Sequence, residues 1–342
     1  MAASTNPDLL AAQARAALDR DAYDYLATGA GQEVTLTENL AGWRLPLRPR
    51  VLRDVSTVDT ETSLLGTPVA APLGVAPLGF QRWFHPDGEV ATAKGAAASL
   101  FVLSMRATTG FDQLTPVAGP WWCQVYRLQD RQLTVETIRQ AVAAGARALV
   151  LTVDTPYAGE KARPTEPPAG LPVNALLPGQ PGWDDPRCWV AADLSLADIG
   201  WFREISGLPV VVKGVLRGDD ARECLAAGAA AIWVSNHGGR QLDGAVATAT
   251  ALPEVVAAVA DRAEVYVDGG VRSGRDVARA LALGARAAFL GRPVAWALAA
   301  GGVAGVRSLL DGIHAELWEA MALLGCATVD ELIPDLVTGL AQ

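Results

Sequence analysis

Short apolar runs recur along the chain at 69–76, 100–104, 122–126, 148–154, 209–213, 230–236, 264–268 and 287–291. They are apolar nearly throughout rather than alternating, as strands covered on both faces must be. Between them, stretches such as 134–144, 219–227, 250–260 and 276–283 carry apolar residues at helical spacing. One unit repeats: VAAGARALVLTVD at 142–154, LAAGAAAIWVSNH at 225–237 and LALGARAAFLGRP at 281–293. Each copy is a helix end, a Gly turn and a short strand running into polar residues, so the repeat is an α/β unit. Eight such strands predict a closed (β/α)8 barrel with right-handed crossovers. An open doubly wound sheet is the alternative that the pattern alone leaves standing.

The flanking segments read differently. Residues 1–65 precede the first barrel strand and are expected to form a helical extension. Helical spacing runs over 7–26 and ends before Thr28-Gly29-Ala30-Gly31. Residues 155–187, after the fourth strand, hold eight of the 21 prolines. A long Pro/Gly-rich loop there is either a lid over the strand ends or disordered. The charge-free stretch 62–81 contains Pro68, Pro72 and Pro77, which favours strand and loop over a membrane helix. The whole chain, 1–342, is read as one barrel domain.

Composition narrows the classes. With 51% hydrophobic and 19% charged residues among 342, a large core is available and global disorder is excluded. A net charge of -9 excludes a broad basic surface for nucleic acid. Cys123, Cys188, Cys224 and Cys326 are scattered, with neither a zinc spacing nor a disulfide framework, so no metal centre is expected. The first residues lack a basic segment followed by an apolar one, and a cytoplasmic protein is expected.

Active sites of such barrels lie at the C-terminal strand ends. Polar residues there are Ser104 and Arg106, Gln124 and Tyr126, Thr152 and Asp154, Lys213, and Ser235 through Gln241. Strand one ends at Pro77-Leu78-Gly79. The last two strands lead into Asp268-Gly269-Gly270-Val271-Arg272 and Gly291-Arg292-Pro293. Glycines let backbone N–H groups approach an anion, and arginines add directional donors, so these two loops read as a phosphate site. The bland reading is that the glycines only turn strand into helix. Lys213 is one of three lysines and ends an apolar strand. It could form a Schiff base, sit beside an electron-rich ring, or make a structural ion pair. His237, in a Gly-bounded loop with Arg240 three residues on, can exchange a proton near neutral pH while Arg240 holds a carboxylate. Asp154 could orient that imidazole. His85, before Pro86, reads as a capping or packing residue and His314 as a surface histidine.

Ser235-Asn236-His237-Gly238-Gly239-Arg240-Gln241, with the Asp268–Arg272 and Gly291–Pro293 loops, resembles the FMN-dependent α-hydroxy acid oxidase and dehydrogenase family. The resemblance spans nearly the whole chain, from Tyr23-Asp24-Tyr25 onward. Residues 81–89 lean toward the branch acting on 4-hydroxymandelate. The resemblance implies FMN as cofactor, a 2-hydroxy acid as substrate and a homotetramer; O2 is the expected electron acceptor because 155–187 carries no long apolar insert for docking to a membrane quinone. It implies that His237 is the base, with Asp154 its carboxylate partner and Tyr126 near the substrate hydroxyl. Tyr25 and Arg240 would hold the substrate carboxylate. Lys213 would lie beside the flavin. Pro77, Leu78, Gly79, Ser104, Gln124, Thr152 and Ser235 would be further flavin contacts, and Asp268, Gly269, Gly270, Arg272, Gly291 and Arg292 the ribityl and phosphate site.

Three departures concern the substrate side. Lys161 stands where the family places a substrate-facing arginine, with Arg163 as a substitute. Arg106 stands where many members carry an aromatic or small residue. Leu78 replaces Thr or Val. Two extra cations are costly to bury without partners. They point either to a second polar or anionic group on the substrate, or to neutralisation by Glu160 or Glu166. The competing functions are a specialised biosynthetic FMN enzyme on a larger or polyanionic substrate, and a flavin-free phosphate-binding isomerase or lyase.

Overall fold

A computed structural model describes residues 6–339. The extension begins with α1 (Pro7–Ala17), α2 (Arg20–Ala27) and α3 (Val34–Gly42). The helix expected over 7–26 is thus two. Leu18 is extended (φ -101°, ψ 152°), and the Asp19 carboxylate restarts the helix by accepting the Ala22 N–H at 2.8 Å.

The extension is not helical throughout. A hairpin, β1 (Thr62–Leu64) and β2 (Thr67–Val69), turns at Leu65-Gly66, both at positive φ as a two-residue hairpin turn demands. Leu64 and Val69 pack with the side chains filling the barrel, and the Leu65 N–H reaches the Glu264 carboxylate at 3.1 Å. The hairpin therefore closes the N-terminal end of the barrel, and the first barrel strand starts at 73 rather than 69.

The barrel strands are β3 (Leu73–Leu78), β4 (Leu100–Leu103), β5 (Trp121–Val125), β6 (Leu149–Thr152), β7 (Val210–Val215), β8 (Ala231–Val234), β9 (Glu264–Val267) and β10 (Ala287–Leu290). All pair in parallel, and β10 returns to β3 with Ala288 opposite Leu73, which closes the ring. Bulky rings fill the interior: Trp233 and Phe289 lie 4.0 Å apart between centroids, with Trp122 and Tyr266 around them.

Outside the ring lie α4 (Gly88–Gly95), α5 (Phe111–Leu114), α6 (Arg131–Ala143), α7 (Leu196–Ser206), α8 (Gly218–Ala226), α9 (Thr248–Val259), α10 (Gly274–Ala282) and α11 (Arg292–Leu324). The sequence repeat has a backbone cause. Gly145, Gly228 and Gly284 take φ of 91°, 100° and 96° just after α6, α8 and α10, where a helix stops in a left-handed residue. Helix α11 is long and apolar enough to cross a membrane, but it breaks at Gly302 (φ 54°, ψ -137°) and packs against α1, α4 and α10.

The proline-rich segment is packed rather than disordered. Val173, Asn174, Leu176 and Leu177 are buried, and strand-like bridges join Lys161 to Ala30 and Val190 to Leu128.

Candidate active site

The C-terminal strand ends converge on a cavity of about 790 Å³. Its wall is reached by Pro77, Leu78 and Gly79 from β3, by Ser104 and Arg106 after β4, and by Gln124 and Tyr126 at β5. Thr152, Lys213 and His237 follow around the ring, and the two Gly-Arg loops complete it.

His237 takes a left-handed backbone conformation (φ 58°), fixed by its N–H donating to Ser235 Oγ at 3.1 Å. Its Nδ1 lies 2.9 Å from Asp154 Oδ1. That contact holds the proton on Nδ1 and leaves Nε2 as the nitrogen for exchange. Asp154 itself stands behind the imidazole, outside the cavity wall. Burial opposes its ionisation, but the charge and hydrogen bond of His237 and the charge of Lys213 outweigh that, so its carboxyl lies below the usual range. Gly214 makes the approach possible: a Cβ there would lie 2.7 Å from that of Asp154. Gln241 fixes the surrounding loops by donating to the carbonyls of Asp154 (2.9 Å) and Tyr157 (3.1 Å).

Lys213 is buried in the cavity wall. Its Nζ donates to Ser235 Oγ at 2.8 Å and lies 3.2 Å from Asp268 Oδ2, while Ser235 donates to Asp268 Oδ1 at 2.6 Å. It therefore makes the ion pair of the bland reading and still presents to the cavity.

The opposite end is built for an anion. Gly269 and Gly270 have φ of 87° and 89°, and a Cβ on Gly270 would meet the Asn39 carbonyl oxygen at 2.0 Å. Arg292 is half-buried and, among the described residues, donates only to the carbonyls of Leu26, Gly238 and Thr28, at 2.9, 2.8 and 2.9 Å. Burial, with Arg240 and Arg272 nearby, drives it well below the usual arginine range. Burial pushes Arg272 down to about 10. Neither guanidinium has a carboxylate within 4.0 Å among the described residues. A phosphate group bound there would supply the missing charge. Deeper in the cavity, Gln124 Nε2 and Thr152 Oγ1 are buried without partners among the described residues, a donor and a hydroxyl open to the edge of a heteroaromatic ring. The residues present thus fit FMN.

On the substrate side, the Arg240 guanidinium lies 4.7 Å from the Tyr25 ring and donates to the carbonyls of Tyr25 and Thr28. Burial raises the Tyr25 and Tyr126 phenols, so both remain protonated donors. Lys161 reaches the cavity but spends two N–H groups on the carbonyls of Gly159 (2.6 Å) and Arg240 (2.5 Å). Burial and Arg240 lower it to about 8.

Two expectations for this side change. Arg163 does not line the cavity; its N–H is held by Thr28 Oγ1 at 3.2 Å, just past α2, and its guanidinium pairs with Asp24 (3.0 Å) and Glu33 (3.4 Å). Among the described residues, Arg106 has no carboxylate partner, and neither Glu160 nor Glu166 pairs with it or with Lys161. Its guanidinium donates to Asn174 Oδ1 and the Cys188 carbonyl, each at 2.6 Å, and lies over the rings of Trp183 and Tyr126. Neutral dipoles and ring faces satisfy it, which removes the ground for a second anionic group on the substrate.

Phe80, Trp183 and Trp189 also wall the cavity and escaped the sequence reading. Tryptophans inside a proline-rich loop, where no periodic face calls for them, were the available signal. His85 caps as expected, its Nδ1 accepting the Asp87 N–H at 3.2 Å, whereas His314 is not a free surface group: its Nε2 lies 2.6 Å from Thr60 Oγ1.

Barrel, anion end and His–Asp pair together define a flavin-dependent oxidoreductase. The FMN-dependent dehydrogenase family matches residues 14–339, and the chain belongs to that family. Similar proteins include an L-lactate oxidase of Nostoc sp., 44% identical over 93% of this chain and 94% of the relative. Another is 2-hydroxyacid oxidase 1 of Homo sapiens, 42% identical over 95% and 94%. A solved mandelate oxidase variant with 2-hydroxy-phenylacetamide superposes with a TM-score of 0.91 at 38% identity, covering 100% of this chain and 99% of that one. A second variant, solved with a C4a-OH-FMN adduct, gives a TM-score of 0.88 at 40% identity over 94% and 96%. FMN is the cofactor, and the flavin-free reading is set aside.

Proposed function

We propose that the protein oxidises a 2-hydroxy acid carrying a single carboxylate to the 2-oxo acid and passes the electrons to O2. The observation that carries this is the His237–Asp154 pair at 2.9 Å, whose imidazole shares a cavity with Arg240 and the two half-buried arginines of the phosphate end. FMN, when bound, supplies the two-electron acceptor. Arg272 and Arg292 would hold its phosphate, and Lys213, Gln124 and Thr152 its ring. Arg240 binds the substrate carboxylate, with the Tyr25 hydroxyl beside it. Tyr126 donates to the substrate oxygen. His237 Nε2 takes a proton from the carbinol group, and Asp154 stabilises the imidazolium that forms. The relatives named as oxidases of lactate, 2-hydroxy acids and mandelate support O2 as acceptor. Bleaching of the flavin by a 2-hydroxy acid without air, and its return on admitting air, tests the reading. A flavin that bleaches but stays reduced in air would reject O2.

A further inference from the structure

Arg106 is held from behind. Asn174 is buried and absent from the cavity wall, yet its Oδ1 accepts from Arg106 at 2.6 Å. Its own amide donates to the carbonyls of Pro181 (3.0 Å) and Gly182 (3.4 Å), which shape the turn that carries Trp183. Trp183 meets the Phe80 ring edge-on at 5.3 Å and lies 5.5 Å from the Arg106 guanidinium. The second arm of the guanidinium holds the Cys188 carbonyl, just past the proline-rich segment. One planar cation thus ties Asn174, inside that segment, and Cys188, just past its end, to the end of β4.

We infer that Asn174 is a positioning residue that sets substrate size: by holding Arg106 and the Trp183 turn, it fixes the roof of the cavity low over the substrate's side chain. The inference rests on the 2-hydroxy acid reading. A fork with both arms engaged cannot swing aside to admit a bulky group without breaking two charge-assisted hydrogen bonds. Small 2-hydroxy acids fit beneath it, whereas an aromatic one must displace it. Both orientations of the fork depend on the segment 174–188 being seated, so residues outside the cavity wall govern discrimination inside it.

The test is a double-mutant cycle on the FMN-loaded full chain, with glycolate and mandelate as substrates. Asn174→Ala is expected to raise the kcat/KM ratio of mandelate to glycolate about tenfold or more, chiefly through KM for mandelate. Arg106→Leu is expected to raise it by a similar factor, and the double variant no further than the larger single effect. Asn174→Asp, which keeps the acceptor for Arg106 but loses the amide donors to Pro181 and Gly182, is expected to raise the ratio by less than Asn174→Ala does. Equal losses on both substrates, or effects that multiply in the double variant, would mean that Asn174 is only structural and would overturn the inference. If Asn174→Ala does not fold, Asn174→Asp and Arg106→Leu decide it: an unchanged ratio in either overturns it. Failure of every 2-hydroxy acid to bleach the wild-type flavin would reject the underlying reading instead, so the two failures are distinguishable.

Discussion

His237 Nδ1 and Asp154 Oδ1 lie 2.9 Å apart across two strand ends, β8 and β6, with the carboxylate hidden from the cavity and the imidazole in its wall. Removing the imidazole therefore removes the base and leaves the anion end untouched. His237→Gln is expected to retain FMN while flavin reduction slows by about 10²–10⁴, the usual loss for a missing general base. Asp154→Asn is expected to cost less and to leave KM nearly unchanged. Rapid-mixing flavin bleaching measures both, and a normal rate in His237→Gln would remove the assigned role.

Asp154 also gives an acid limit. Its folded pKa is lowered, so its pairing stabilises the protein above the ordinary carboxyl value of about 4 and is lost as pH falls through the lower folded value. Asp154→Asn is expected to flatten that part of the Tm profile. Parallel acid profiles for the two proteins would argue against it.

Lys161 sets a limit on the alkaline side. Its folded pKa of about 8 means that the cavity loses a positive charge as pH rises through that value. KM for an anionic substrate is expected to rise above about pH 8 in the wild type and to stay flat in Lys161→Gln. The unfolded lysine keeps its proton to about 10.4, so the wild type also gains stability relative to Lys161→Gln across that window. Identical pH profiles of KM in the two proteins would place Lys161 outside the substrate's field.

At the anion end, Arg292→Ala and Arg272→Ala are each expected to weaken FMN binding by about 1.5–3 kcal/mol, the worth of a charge-assisted contact. Gly270→Ala is expected to lose FMN as well and to destabilise the fold by more than about 1 kcal/mol, because its positive φ and the Asn39 carbonyl both exclude a methyl group. Fluorescence titration of released FMN measures all three, and unchanged affinity would contradict the phosphate assignment.

The barrel was legible because each strand is a short apolar run and each helix stop a glycine at the same point of the repeat. Residues 62–69 were not: Leu64 fell in the extension read as helical and Val69 in strand one, since nothing local says that a hairpin will plug a barrel end. His237, Asp154, Arg240 and the Gly-Arg loops were legible as strand-end polar residues. Arg106 was seen, but its partners were not, because Asn174 and Cys188 are distant in sequence and use an amide and a backbone carbonyl, which carry no charge signal. Arg163 was misplaced for the complementary reason: whether it faces in or out depends on where the backbone runs past Asp24.

The most direct measurement is anaerobic mixing of the yellow wild-type protein with glycolate, lactate and mandelate in turn, followed by air. Loss of the flavin absorbance with at least one acid, formation of one equivalent of 2-oxo acid, and full recovery of colour in air are the outcome expected here. A protein that holds FMN yet is bleached by none of the three would contradict the account.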